Sequence, residues 1–142
     1  MRTDFKKTET VNAETVFPSR VFVYGTLKSG QPNHHLLSGS KRLMTGWTAK
    51  RYRMFCNGWF PMIVPDQSGY FIFGEVYEVS PETLQRLDRL EGVPNHYYRD
   101  SCPVVDLGVN RMTAYVYVYS DARVTSELTE VPAGRWNGAT FQ

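Results

Sequence analysis

Hydrophobic positions follow different periods in different parts of the chain. Val21-Phe22-Val23-Tyr24 is apolar on both faces and rich in β-branched and aromatic residues, so Arg20–Tyr24 reads as a buried strand. Gly25-Thr26-Leu27 ends it, and Ser29-Gly30 and Pro32-Asn33 mark a loop with a short helix after Pro32. Leu43–Cys56 carries Trp47, Tyr52 and Phe55 among basic residues and reads as strand with irregular stretches. Asn57-Gly58 is a turn signal, and Pro61 and Pro65 bracket Met62-Ile63-Val64 as a short edge segment. Tyr70–Val79 reads as a long strand, with Gly74 at a bulge or a close backbone approach.

The period then changes. Ser80-Pro81 opens a helix, because serine caps well and proline suits the first helical position. Leu84, Leu87 and Leu90 supply its apolar side, Gly92 its C-terminal cap, and Pro94 forbids continuation. Tyr97–Val105 and Arg111–Ser120 read as two strands around a turn near Gly108-Val109-Asn110. In the second, Met112, Ala114, Val116 and Val118 alternate with Thr113, Tyr115, Tyr117 and Tyr119, a period of two with large side chains on both faces. Leu128–Gln142 is mostly loop, with Trp136 anchoring it to the core. The pattern predicts a strand-rich α+β domain with one helix, a short one after Pro32, and a twisted or barrel-like mixed sheet. Residues 1–18, polar and without a period, read as a flexible N-terminal extension, and 19–142 as one domain.

Composition narrows the function classes. The chain has 142 residues, 42% of them apolar and 14% aromatic, enough for one packed core. A net charge of +2 implies no long-range positive field, so no nucleic-acid partner is expected. Cys56 and Cys102 form no CxxC pair and read as separate, partly buried thiols of a reducing compartment. No apolar run is long enough to span a bilayer, and Met1–Ser19 lacks the apolar core of a secretory signal. The expectation is a soluble cytoplasmic protein with no membrane partner, a monomer or a weak homodimer.

Four groups of residues carry candidate chemistry. The strand ending at Tyr24-Gly25-Thr26-Leu27 exposes consecutive backbone N–H groups, which can hold a carboxylate or an oxyanion. Gly25, without a Cβ, lets a ligand approach the backbone. Composition alone favours a simple turn there. Glu91 lies four residues after Leu87 and seven after Leu84, on their apolar side, at the helix C-terminus. Burial and the helix dipole both push its pKa up, towards a general acid–base value. Against this, the helix can end earlier, with Glu91 in solvent or paired with Arg99; Asp88 is a rival on nearly the same face. These alternatives stand close to even. His34, His35 and His96 lack the spacing of a metal site, and no metal is expected. Lys50-Arg51-Tyr52-Arg53, with Phe55 and Trp59, could track single-stranded nucleic acid, but reads better as a strand with one solvated face.

Three motifs, in order, carry a resemblance. The run from Val21 to His34, VFVYGTLKSGQPNH, resembles the opening strand and loop of the γ-glutamylcyclotransferase-like family, and is similar in detail to the branch acting on γ-glutamylamines. Gly74-Glu75-Val76-Tyr77 resembles the family's central strand, and Leu87–Arg99 its LD-x-x-E…P…Y-x-R signature. The ending Val131–Trp136 is similar to that of other members of the wider family. The resemblance implies a γ-glutamylcyclotransferase-like α+β fold, a barrel-like mixed β-sheet of five to six strands with a few flanking helices, and an enzyme that releases 5-oxoproline from a small-molecule γ-glutamyl substrate without a cofactor. It implies Glu91, rather than Asp88, as the acid–base residue. It implies that Tyr24, Gly25, Thr26 and Leu27 bind the γ-glutamyl unit, with Tyr97 near the pocket. Glutathione or γ-glutamyl dipeptides are the alternative substrates, and a non-catalytic binding protein is the alternative class.

Overall fold

The computed structural model describes residues 19–138 of the chain. The extension expected over residues 1–18 lies outside them, as do the last four residues. Seven strands and one α-helix are present among the described residues: β1 (Ser19–Val23), β2 (Lys41–Cys56), β3 (Pro61–Pro65), β4 (Tyr70–Val79), α1 (Pro81–Glu91), β5 (Tyr97–Val105), β6 (Arg111–Tyr119) and β7 (Thr129–Val131). The expected short helix after Pro32 is a single 3₁₀ turn, His34–Leu37.

Five of the strands close a mixed barrel. β1 runs antiparallel to β4 and parallel to β6. β5 and β6 form the expected hairpin, β4 pairs with β2, and β2 meets β5 through Trp47↔Val105 and Thr48↔Val104. That last pairing completes the circuit and leaves the five strands without free edges. β2 is long enough for two tasks. Register shifts between Arg42 and Met44 and between Trp47 and Arg51 re-aim it. Beyond them, Tyr52–Cys56 pairs with β3, and Met54–Cys56 with β7.

Alternation along the strands builds two apolar layers. Phe22, Tyr52, Ile72, Val76, Val104, Val116 and Trp136 fill the barrel interior. Val21, Val23, Leu37, Val79, Leu87, Tyr97 and Tyr117 face outward, beneath α1 and the 25–40 loop. This second layer explains why β1 reads apolar on both faces. Gly74 sits where β1 crosses closest: a Cβ there would collide with the Val23 carbonyl. Trp136 is the anchor expected of the C-terminal segment, almost fully buried. The segment is more ordered than expected, because β7 pairs with β2 and a 3₁₀ turn follows at Pro132–Gly134.

The helix is built as its sequence dictates. Ser80 Oγ accepts the Thr83 N–H at 3.1 Å, and Pro81 follows at the first position. Gly92, at φ +70°, closes the far end: its N–H and that of Val93 donate to the carbonyls of Arg89 and Asp88. Leu87 is completely buried against the barrel, which contributes about 2 kcal/mol. Leu90 departs from expectation. It is 44% exposed, one residue before the end of the helix.

Candidate active site

The end of β1, the start of β5 and the last turn of α1 meet around a cavity of about 260 Å³. That is just below the roughly 300 Å³ at which pockets for drug-sized ligands begin, so it suits a small fragment rather than a nucleotide. Every residue assigned to a site from the sequence lines it: Tyr24, Gly25, Thr26, Leu27, Glu91 and Tyr97. Phe22, Val23, Asn33, Phe60, Pro61, Leu90, His96 and Tyr117 complete the wall.

The 24–27 loop is held from behind. The Asn33 side chain donates to Thr26 Oγ1 at 3.0 Å, and its backbone N–H donates to the Thr26 carbonyl at 2.9 Å. The Ser29 N–H donates to Glu75 Oε1 at 2.9 Å, and Lys28 Nζ donates to the Trp136 carbonyl at 2.6 Å. These bonds tie the loop to the barrel's outer face. The N–H groups of Gly25, Thr26 and Leu27 donate to no acceptor among the described residues. Gly25 also has a close protein neighbour. A Cβ there would lie 2.7 Å from Pro61 Cγ, so the missing side chain makes room for the Pro61 ring.

Two carboxylates on the last turn of α1 have opposite surroundings. Asp88 Oδ1 accepts the Tyr117 hydroxyl at 2.7 Å and lies 3.2 Å from Arg99 Nε. Arg99, weighed earlier as a partner for Glu91, thus belongs to Asp88. Glu91 has no hydrogen bond or ion pair among the described residues. Burial alone pushes its pKa from 4.5 up to about 7.

Three tyrosines surround this carboxylate. Tyr24 Oη donates to the Tyr117 carbonyl at 2.8 Å, and Tyr97 Oη donates to the Pro61 carbonyl at 3.2 Å. Burial, with lesser help from the Glu91 charge, raises the pKa of both phenols. Tyr117 is raised by burial and then by its bond to Asp88. All three therefore remain protonated donors near neutral pH, and none can act as the base. Glu91 is the carboxylate in this wall whose proton can move at neutrality.

The other candidates have contacts of their own. His34 Nδ1 lies 3.0 Å from the Leu27 carbonyl, His35 Nδ1 lies 3.1 Å from the Pro32 carbonyl, and His96 packs against Tyr97 and Tyr119. No group of three or more His, Cys, Asp or Glu side chains gathers as metal ligands among the described residues. The basic stretch on β2 is a solvated face: Lys50 pairs with Asp100, Arg51 lies over Phe71 and Arg53 pairs with Glu130. Cys56 and Cys102 are buried, unbridged thiols. No described helix is long and apolar enough to cross a membrane.

Sequence reasoning missed Asn33, Phe60, Leu90 and Tyr117 as parts of the wall. Asn33 had a signal, since it follows Pro32 in a loop where side-chain amides brace turns. Phe60, Leu90 and Tyr117 reach the cavity only through packing between separate elements, which no local pattern encodes.

Barrel and cavity together define a small α+β protein shaped to enclose a small ligand. A family model described as gamma-glutamyl cyclotransferase, AIG2-like, matches residues 21–138, and the chain belongs to that family of cyclotransferase enzymes. A putative gamma-glutamylcyclotransferase of Methanocaldococcus jannaschii is 38% identical over 72% of this chain and 85% of its own length. A gamma-glutamylaminecyclotransferase of Bos taurus is 35% identical over 79% of this chain and 71% of its own. The crystal structure of an AIG2-like protein from Mus musculus superposes with a TM-score of 0.73 at 26% identity, covering 84% of this chain and 88% of that one. The family read from the three motifs is the family to which the chain belongs.

Proposed function

We propose that the cavity takes the γ-glutamyl unit of a γ-glutamylamine and closes it to 5-oxoproline, with Glu91 carrying the protons. The observation that carries this reading is the pairing of opposites in one wall. An unpartnered carboxylate, poised near pH 7, lines the same cavity as the unused N–H groups of Gly25, Thr26 and Leu27.

The chemistry is intramolecular. The substrate α-amine attacks the γ-carbonyl carbon, a new C–N bond closes a five-membered ring, and the old amide C–N bond breaks. In becoming the lactam N–H, the α-ammonium gives up two protons; the departing nitrogen takes up two and leaves as an ammonium. Glu91 passes them one at a time, as base and then as acid. Both reactants belong to one molecule, so the wall mainly has to hold the attacking conformer. Backbone N–H groups of the 25–27 loop bind the α-carboxylate or the developing oxyanion. Tyr24 and Tyr97, protonated and tied to carbonyls, shape the floor. No cofactor enters the scheme.

The test is direct. Purified protein is incubated with γ-glutamylamines, γ-glutamyl dipeptides and glutathione, and 5-oxoproline is measured. Release from the amines supports the reading. Binding of 5-oxoproline by calorimetry with no turnover of any substrate would instead mark a binding protein.

A further inference from the structure

The strand motif Gly74-Glu75-Val76-Tyr77 takes no part in the chemistry above, yet it lies behind the loop that carries it. Glu75 and Tyr77 are alternate residues of β4 and share its outer face. Both are buried, Glu75 at 8% and Tyr77 at 4% exposure. A buried carboxylate is costly unless its lone pairs are used. Glu75 Oε1 accepts two donors, the Ser29 N–H at 2.9 Å and the Tyr77 hydroxyl at 3.0 Å. Lys28, close enough to feel the Glu75 charge, gives its ammonium to the Trp136 carbonyl at 2.6 Å. Glu75 therefore holds the loop backbone. Tyr77 meets the loop a second time: its ring packs 5.7 Å from the ring of His34, whose Nδ1 lies 3.0 Å from the Leu27 carbonyl.

These contacts fix peptide planes. The Gly25 carbonyl accepts the Lys28 N–H at 3.0 Å, the Thr26 carbonyl accepts the Asn33 N–H at 2.9 Å, and the Leu27 carbonyl faces His34. In a trans peptide the N–H points opposite to the carbonyl of the same plane. With the Gly25 and Thr26 carbonyls held, the N–H groups of Thr26 and Leu27 must aim away from those partners, and both residues line the cavity. The bond from Ser29 to Glu75 ties down the exit of this turn, and the His34–Tyr77 contact ties down its return.

We infer that Glu75 is a positioning residue: through its bond to the Ser29 N–H it fixes the 25–27 loop so that the Thr26 and Leu27 N–H groups converge on the α-carboxylate of the γ-glutamyl unit. This rests on the cyclotransferase reading and adds to it the residue that sets affinity from outside the cavity. What matters at position 75 is the reach of an acceptor oxygen rather than its charge.

Three substitutions separate reach from charge. Glu75→Met keeps the volume and removes the acceptor. Glu75→Asp keeps the charge and retracts it by one methylene. Glu75→Gln keeps an oxygen at full reach without the charge. 5-Oxoproline retains the α-carboxylate, so its Kd by calorimetry reads the loop without turnover. KM and kcat are measured with whichever of γ-glutamylbutylamide, γ-glutamylalanine and glutathione the wild type converts. Glu75→Met should raise Kd and KM by about tenfold, the loss for one hydrogen bond to a charged group. Its kcat should stay within about threefold of wild type and still rise near pH 7. Glu75→Asp should raise Kd and KM by roughly threefold to fivefold, and Glu75→Gln by less than about twofold. Thermal melts check that each variant folds; if Glu75→Met does not, the order of Asp and Gln carries the test. Glu75→Asp closer to wild type than Glu75→Gln would overturn the inference, because charge would then outweigh reach. So would variants that lower kcat and melting temperature with Kd and KM unchanged. Either result leaves the cyclotransferase reading intact. A wild type that releases no 5-oxoproline from any of the three substrates would remove that reading and this inference with it.

Discussion

Asp88 and Glu91 stand less than one helical turn apart, share a face of α1 and carry the same functional group. Asp88 is bound on two sides, by the Tyr117 hydroxyl and by Arg99. Glu91, three residues on, faces a cavity with no partner at all among the described residues. A paired carboxylate stabilises a particular geometry; an unpaired one in a desolvated wall costs stability whenever it is ionised, and gains a movable proton near neutrality. The helix therefore holds a paired and an unpaired carboxylate side by side, and neither residue type nor spacing distinguishes them. What distinguishes them is the far side of the contact: β5 and β6 for Asp88, and open space for Glu91.

The largest effect expected from breaking this contrast is on turnover. Glu91→Gln keeps the shape and removes the base, so kcat should fall by about a hundredfold or more, with a modest change in KM. Release of 5-oxoproline under saturating substrate measures it, and near-wild-type turnover would strip Glu91 of its role. In the wild type, kcat should rise with pH through about 7 as the carboxylate ionises.

The same substitution has a second, smaller consequence, on stability. The folded-state pKa of Glu91 is raised from 4.5 to about 7. Between those values the folded protein holds a proton that the unfolded chain has released. Stability therefore falls as pH rises across that window, and the advantage of the neutral form is gone above about pH 7. Because Glu91 retains some solvent contact, the loss is discounted to about 1–2 kcal/mol. Glu91→Gln has no charge to bury and should be more stable than wild type by that amount at pH 8, and nearly equal to it at pH 4. Urea titrations at the two pH values check this. A variant less stable than wild type at pH 8 would mean that the ionised carboxylate has a favourable partner.

These contrasts also mark how far sequence could be read. Strand and helix bounds came through because they are local: Ser80-Pro81 and Gly92 announce both ends of α1, and the Met112–Tyr119 alternation fixes β6. The position of Glu91 on an inward face was legible from its spacing to Leu87, and its preference over Asp88 came from resemblance. A barrel-like sheet was expected, but the pairing that closes it was not legible, since it rests on two residue pairs between distant strands, Trp47↔Val105 and Thr48↔Val104. Nor was the Asp88–Tyr117 bond, whose partners lie 29 residues apart. Leu90 shared a period with Leu84 and Leu87, yet it is exposed at the helix end. At Gly25 the β2–β3 hairpin brings the Pro61 ring to 2.7 Å from where a Cβ would lie, a neighbour that no local pattern announces. In each case the missing information is which distant element arrives at a locally ordinary residue.

The smallest effect sharpens the comparison most. Asp88→Asn keeps an oxygen for the Tyr117 hydroxyl and removes the charge that faces Arg99. Both members of that ion pair are partly exposed, with side-chain accessibilities of 24% for Asp88 and 30% for Arg99, so the stability loss should be about 1 kcal/mol. A slightly loosened helix end displaces Glu91, and small displacements of a proton-transfer group lower turnover; the fall in kcat should be roughly threefold to tenfold. The decisive readout is the pH profile. If Asp88 only positions the helix, the rise in kcat near pH 7 must survive in Asp88→Asn at reduced amplitude, whereas Glu91→Gln must lose it. Should Asp88→Asn abolish the inflection while Glu91→Gln keeps it, the two carboxylates have exchanged roles, and the bonds that tie Asp88 to Tyr117 and Arg99 would have to be read as a proton path instead of an anchor.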